Sequence, residues 1–229
     1  MPEWRTYTLE DFLLFSPRVY WRMFELHNAA VWPLQIPALL LGAAILVRLV
    51  RPRSWSDRVI PAILAAAWLW VAWSFLWNRY ATINWAMRYV APVFAAEALL
   101  LLWLGSLRGR LRFALAPTAP SAIGLALLAY ALVLHPLVAG LAGRSIRATE
   151  LFAITPDPTA IATLGLVLLA GSGAVAWPLL VLPLVWCVLS WATLHTMGAP
   201  EGWIPLAAAG LAVAGRLWPR VGGQAGLLP

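Results

Sequence analysis

Lysine is absent from this 229-residue chain, and acidic residues are scarce: nine aspartates and glutamates against sixteen arginines. Charged residues make up 11% of the chain and hydrophobic ones 62%. A water-soluble domain of this length needs far more charge to cover its surface, so the composition points to the bilayer. The single cysteine, Cys187, excludes an intrachain disulfide framework and any CxxC metal site. No GxSxG, HExxH, Walker or dinucleotide pattern occurs, so nothing in the sequence argues for an enzyme. A pI near 10.7 could suggest nucleic acid. The arginines, however, lie in short inter-helix loops rather than on a basic face, which reads as topogenic charge and no nucleic-acid partner. Residues 1–28 hold four acids and three arginines with no early apolar core. No cleavable signal pattern is present there, and the first span is expected to serve as the targeting signal.

Long apolar runs are what the chain does have. Between Thr159 and Gly215 only Glu201 is charged. At about 1.5 Å rise per residue that stretch is long enough for nearly three crossings of a hydrocarbon core about 30 Å thick. The expected fold is an all-α, polytopic transmembrane helical bundle of seven spans, at about 29–47, 59–77, 89–107, 120–141, 159–171, 177–196 and 203–218. The fifth is short, so six spans with a re-entrant piece is the alternative. Gly171-Ser172-Gly173 and Gly198-Ala199-Pro200-Glu201-Gly202 supply the last two turns. Nine arginines fall on the side of the first and third loops and the tail, and seven on the other. The positive-inside rule then places the N-terminus outside and the C-terminus in the cytoplasm of a bacterial inner membrane.

Three regions follow: an interfacial segment at 1–28, a transmembrane domain at 29–218 and a flexible tail at 219–229. In the first, Thr8-Leu9-Glu10-Asp11 has capping-box spacing and Ser16-Pro17 offers a second helix start. Val19, Tyr20, Met23, Phe24 and His27 recur at helical spacing opposite Arg18, Arg22 and Glu25. That pattern predicts an amphipathic helix, either on the membrane surface or packed against protein.

The candidate site residues are those that lipid alone would not tolerate. Glu97 lies about eight residues, or roughly 12 Å, into the third span, where a carboxylate costs a few kcal/mol unless protonated, paired or wet. His135 lies about 9 Å deep in the fourth span and Gln35 at a similar depth in the first. The three are expected to form one intramembrane polar cluster with Glu97–His135 as the pair, serving either as a structural network or as a proton or ligand site. Outer-face candidates are His27, Asn28, Trp32, Arg79, Asn84, Asp157 and His195. Arg79 suits an anionic headgroup, and Asp157 either caps the fifth helix or contacts a cation. Three histidines could in principle hold a metal, but none has a ligand-like neighbour at i+3 or i+4, so no metal is expected. Trp70, Trp73 and Trp77 share one helical face, suited to lipid, to packing or to a flat ring. No cofactor is read from these residues, and haem, quinone or a pigment stay open as alternatives.

The segment from His27-Asn28-Ala29-Ala30-Val31-Trp32-Pro33-Leu34-Gln35, with Trp68-Leu69-Trp70, Ile83-Asn84, Leu102-Trp103-Leu104-Gly105 and Pro156-Asp157-Pro158-Thr159, resembles an uncharacterised bacterial integral-membrane family with an N-x-A-x-W-P-x-Q first-span motif. The resemblance covers most of residues 20–215 and brings no activity with it. It implies cysteine in many relatives where this chain has Asp157, and glutamine where it has Glu97. Three functions stay open on the sequence. They are a non-catalytic accessory or scaffold subunit with a membrane-protein partner or a second copy, a small-solute or proton-coupled carrier around Glu97 and His135, and a membrane redox or lipid-modifying enzyme.

Overall fold

A computed structural model describes residues 14–171 and 173–218. The capping box at Thr8–Asp11, the middle residue of the Gly171–Gly173 turn and the 219–229 tail lie outside them. Among the described residues every regular element is helical. Helix α1 (Pro17–Ala30) starts at Ser16, whose hydroxyl accepts from the Val19 amide at 3.4 Å with proline in the first turn. It buries Tyr20, Met23, Phe24 and His27 against Phe75 and Tyr80 of this same chain, while Val19 remains exposed. A turn at 31–34 separates it from α2 (Gln35–Val50), which leaves at 90°.

Among the described residues four helical stretches are long and apolar enough to cross a membrane: Ser56–Thr82, Met87–Leu107, Ala119–Leu141 and Gly173–Thr196. The bent α1–α2 pair makes a fifth if it counts as one broken span. Within them lie α3 (Ser56–Trp70), α4 (Met87–Leu101), α5 (Ala119–Ala129), α6 (Val138–Leu141) and α8 (Pro178–Thr196). Helices α7 (Pro156–Ala170) and α9 (Trp203–Leu217) have 15 residues each. Seven spans are therefore not found. The first is interrupted before residue 35, and the fifth and seventh reach only about 22 Å at 1.5 Å per residue. Apolar composition reports burial away from water, not whether lipid or protein does the burying. In α7 it is protein, because all fifteen residues are buried.

α7 is the axle of the bundle, ringed by α3, α5, α8 and α9. Its N-terminus is set by Pro156, and Gly171 closes its other end with φ 59°, a left-handed C-cap that glycine reaches without strain. Lipid tails are as apolar as leucine, so helices that enter a bilayer cohere through close packing and hydrogen bonds. The α5–α7 crossing shows the first. A Cβ on Gly124 would lie 2.7 Å from the Gly165 carbonyl oxygen, and one on Gly165 would lie 2.5 Å from that of Gly124. Likewise Gly105 faces Pro61, where a Cβ would come within 2.3 Å of the ring.

Three of the four long stretches turn from α to π geometry, at Val71–Trp77 and Leu102–Leu107 towards one end and at Tyr130–Leu134 in mid-stretch. The wider turn rotates side chains relative to an α-helix. At one rim, arginines stack on tryptophans: Arg48 over Trp55, Arg108 over Trp103 and Arg216 over Trp177.

Candidate functional site

The buried polar groups converge at the N-terminal end of α7. Asp157, in its first turn, is 5% exposed and holds two donors on α8. The Trp186 indole N–H donates to Oδ1 at 2.7 Å and the Ser190 hydroxyl to Oδ2 at 2.6 Å. Positions 186 and 190 are one turn apart, so a single carboxylate grips both. The outer-face role expected for Asp157 therefore gives way to an interior one that fastens α7 to α8. Trp186 also meets Phe94 edge-on at 5.0 Å, and Phe94 packs on Trp68 at 4.5 Å. The Trp68 indole donates to the Thr163 hydroxyl at 2.8 Å, so aromatic N–H groups reach α7 from two sides.

The backbone that leads into α7 is irregular yet buried from Phe152 to Thr155. Such backbone survives inside a bundle only if its polar groups find partners there. Threonines supply them. Thr159 donates to the Thr155 carbonyl at 2.7 Å and accepts from the Ala153 amide at 3.0 Å, while Thr155 accepts from the Leu151 amide at 3.1 Å. Ala153 sits at φ 61°, an uncommon conformation for a residue with a Cβ.

His135 stands where the Ala119–Leu141 stretch passes from π to 3-10 geometry. Its Nδ1 lies 3.2 Å from the Tyr130 hydroxyl, and its Nε2 lies 3.9 Å from Glu150. The expected Glu97–His135 pair is replaced by this Tyr130–His135–Glu150 group, which lies within electrostatic reach of Asp157. Glu97 is 4% exposed on α4, and its Oε1 has no hydrogen-bond partner among the described residues. Gln35 is likewise elsewhere: its Nε2 donates to the Asn28 carbonyl at 2.8 Å, bracing the α1–α2 bend. Asn28 donates in turn to the carbonyls of Arg147 and Thr149, both at 2.8 Å.

The other expected residues scatter. His27 is 1% exposed and edge-on to Phe75 at 5.1 Å. His195 is exposed and stacks on Trp191 at 5.5 Å. Among the described residues no three His, Cys, Asp or Glu side chains converge as a metal site would require. Asn84 accepts from the Ala86 amide at 3.1 Å, shaping the turn before α4. Trp32 is 66% exposed. The aromatic face shifts register: Leu69, Trp73 and Trp77 line a shallow groove of about 260 Å³ with Pro92, and Trp70 is not among its lining residues. The π turn over Val71–Trp77 accounts for the change, since it needs more residues per revolution than the α-helix assumed from sequence.

Sequence reasoning missed Glu150, Tyr130, Trp186, Ser190, Arg144 and Glu201 as partners. A signal existed for two: Trp186 and Ser190 are polar-tipped residues at i,i+4 in an otherwise apolar helix. Arg144 and Glu201 form an ion pair at 3.0 Å, each side chain about nine-tenths buried, and Arg144 also lies 3.5 Å over the Trp21 ring.

Fold and site together define an all-helical, membrane-compatible bundle with a sealed polar core at one end of its central helix. A family described only as of unknown function (DUF6064) matches residues 17–221, and the chain belongs to it. No curated protein and no solved structure matches it.

Proposed function

We propose that the chain is a non-catalytic accessory or scaffold subunit of a bacterial inner-membrane complex, with its N-terminus outside and its C-terminus cytoplasmic. The observation that carries this reading is the disposition of α2. It buries only Ala38, Gly42, Ile45 and Leu49, while Ile36, Leu40, Val47 and Val50 recur at helical spacing on an exposed face. A helix held this thinly, set at 90° to α1, suits a partner helix laid along it. The reactive side chains point the same way, because Asp157 and His135 are spent on hydrogen bonds inside the chain and none of the grooves described reaches them.

The test is purification of the tagged chain in mild detergent with quantitative mass spectrometry and an absorption spectrum. A partner at fixed stoichiometry that is lost in Leu40→Trp is the expected result. A colourless, solitary wild-type protein would refute it. The second reading, a proton-coupled carrier of small solutes, is favoured by Glu97 in the middle of a long apolar helix, whose Oε1 has no hydrogen-bond partner among the described residues. Under that reading Glu97→Gln abolishes uptake in proteoliposomes and leaves folding intact. Under the scaffold reading Glu97→Gln keeps both fold and partner.

A further inference from the structure

An open cavity of about 830 Å³ lies between α1, the 79–83 turn and the 144–148 loop. Four arginines line it: Arg18, Arg22, Arg79 and Arg144. One carboxylate, Glu25, is among the lining residues, and it is taken by Arg22 at 2.5 Å. Arg144 is neutralised from behind by Glu201. Arg18 and Arg79 have no acidic partner among the described residues, so the cavity carries an excess of about two positive charges.

Arg144 shows that the cavity is built rather than incidental. Its guanidinium is clamped between the Trp21 ring and Glu201, which fixes its plane. Its Nε and Nη1 remain without hydrogen-bond partners among the described residues. A buried guanidinium with unspent donors is costly unless an acceptor meets it. The fixed fork of an arginine without an acidic partner among the described residues, as at Arg18 and Arg79, matches the oxygens of phosphate in two-point contacts. Beside the arginines the wall is mixed: Val19, Leu26 and Ile83 are apolar, and Thr82 and Ser145 carry hydroxyls. The cavity also adjoins Thr82, where the first long apolar stretch ends, at the level expected for lipid headgroups.

We propose that this cavity is a binding site for a phosphate-bearing anion, with Arg18 and Arg79 supplying the free charge and donor forks and Arg144 a guanidinium held in place at the wall. Two sources share this chemistry: the phosphodiester headgroup of an anionic phospholipid, and a free phosphate or phosphorylated solute. The site does not depend on the accessory-subunit reading, since no residue of α2 lines the cavity.

The experiment is native mass spectrometry and thermal unfolding of the full chain in phosphatidylcholine nanodiscs, with phosphatidylglycerol or inorganic phosphate added. Phosphatidylglycerol is expected to bind and raise the melting temperature, and the Arg18→Gln/Arg79→Gln double variant is expected to weaken that binding at least about tenfold. Its melting temperature in phosphatidylcholine alone should match the wild type, because both side chains lack partners within the described fold. If inorganic phosphate competes with the lipid, the headgroup phosphate alone is what the site reads. If the lipid binds without such competition, the source is the membrane. Should the double variant misfold, the wild type still decides: phosphatidylglycerol binding must weaken as salt rises. Equal retention of phosphatidylglycerol and phosphatidylcholine with no response to phosphate, or undiminished binding in a folded double variant, would overturn the proposal.

Discussion

Replacing Asp157 with alanine removes the acceptor for two donors on α8, and the structure lets the cost be worked through. The Trp186 N–H and the Ser190 O–H both end on this carboxylate, at 2.7 and 2.6 Å. A buried donor left without a partner costs about 1–3 kcal/mol. Ser190 can rescue itself by turning its hydroxyl to the carbonyl four residues back, as Thr193 and Thr196 on the same helix already do. Trp186 has no such option, since its ring is wedged against Phe94 and is only 5% exposed. The expected loss is therefore about 2 kcal/mol, most of it from one stranded indole. Asp157→Asn keeps one acceptor oxygen and should lose about half as much. The assay is reversible denaturation in mixed micelles, followed by tryptophan fluorescence, for Asp157→Ala, Trp186→Phe and the double variant. Once the phenylalanine has removed the stranded donor, adding Asp157→Ala should cost little more, which gives a coupling energy of about 1–2 kcal/mol. An Asp157→Ala protein within about 0.5 kcal/mol of wild type, or strictly additive variants, would refute the claim that this carboxylate fastens α7 to α8.

The α5–α7 crossing should be intolerant of one methyl group. Gly165→Ala and Gly124→Ala each press a Cβ onto backbone, so each is expected to lower stability by about 3 kcal/mol, at the upper end of overpacking costs, in the same denaturation assay. Gly140→Ala, with open space around its Cβ position, serves as the neutral control. Thr163→Val keeps the shape but withdraws the acceptor of the Trp68 indole, which should cost about 1–2 kcal/mol and shift the fluorescence of that buried ring. Tyr130→Phe removes one neighbour of His135 while leaving Glu150 in place, so a loss of about 1 kcal/mol is expected. A larger effect on a partner's retention than on stability would assign that group to the interface instead.

Much of the helix placement was legible in the chain. The stretches around 59–77, 89–107, 120–141 and 177–196 are apolar over enough residues that only helices could bury their backbone. Ser16-Pro17 and the glycine after residue 170 mark helix ends through local backbone chemistry alone. Glu97, His135 and Asp157 could likewise be picked out, because a polar side chain in an apolar run is improbable without a reason. Their partners could not. Glu150 reaches His135 from the far side of a turn, and Trp186 and Ser190 reach Asp157 across about thirty residues of chain. Hydropathy also cannot distinguish lipid from protein as the apolar surroundings. α7 has the composition of a span and the burial of a core, and that difference removed one of the expected seven spans; the break before residue 35 and the short α9 removed two more. By itself the sequence determined that the chain folds as apolar helices and which polar residues need an explanation. The tertiary structure decided which helix sits at the centre, which donor meets which acceptor, and which arginines are left facing an open cavity, because those outcomes depend on contacts between residues far apart in the chain.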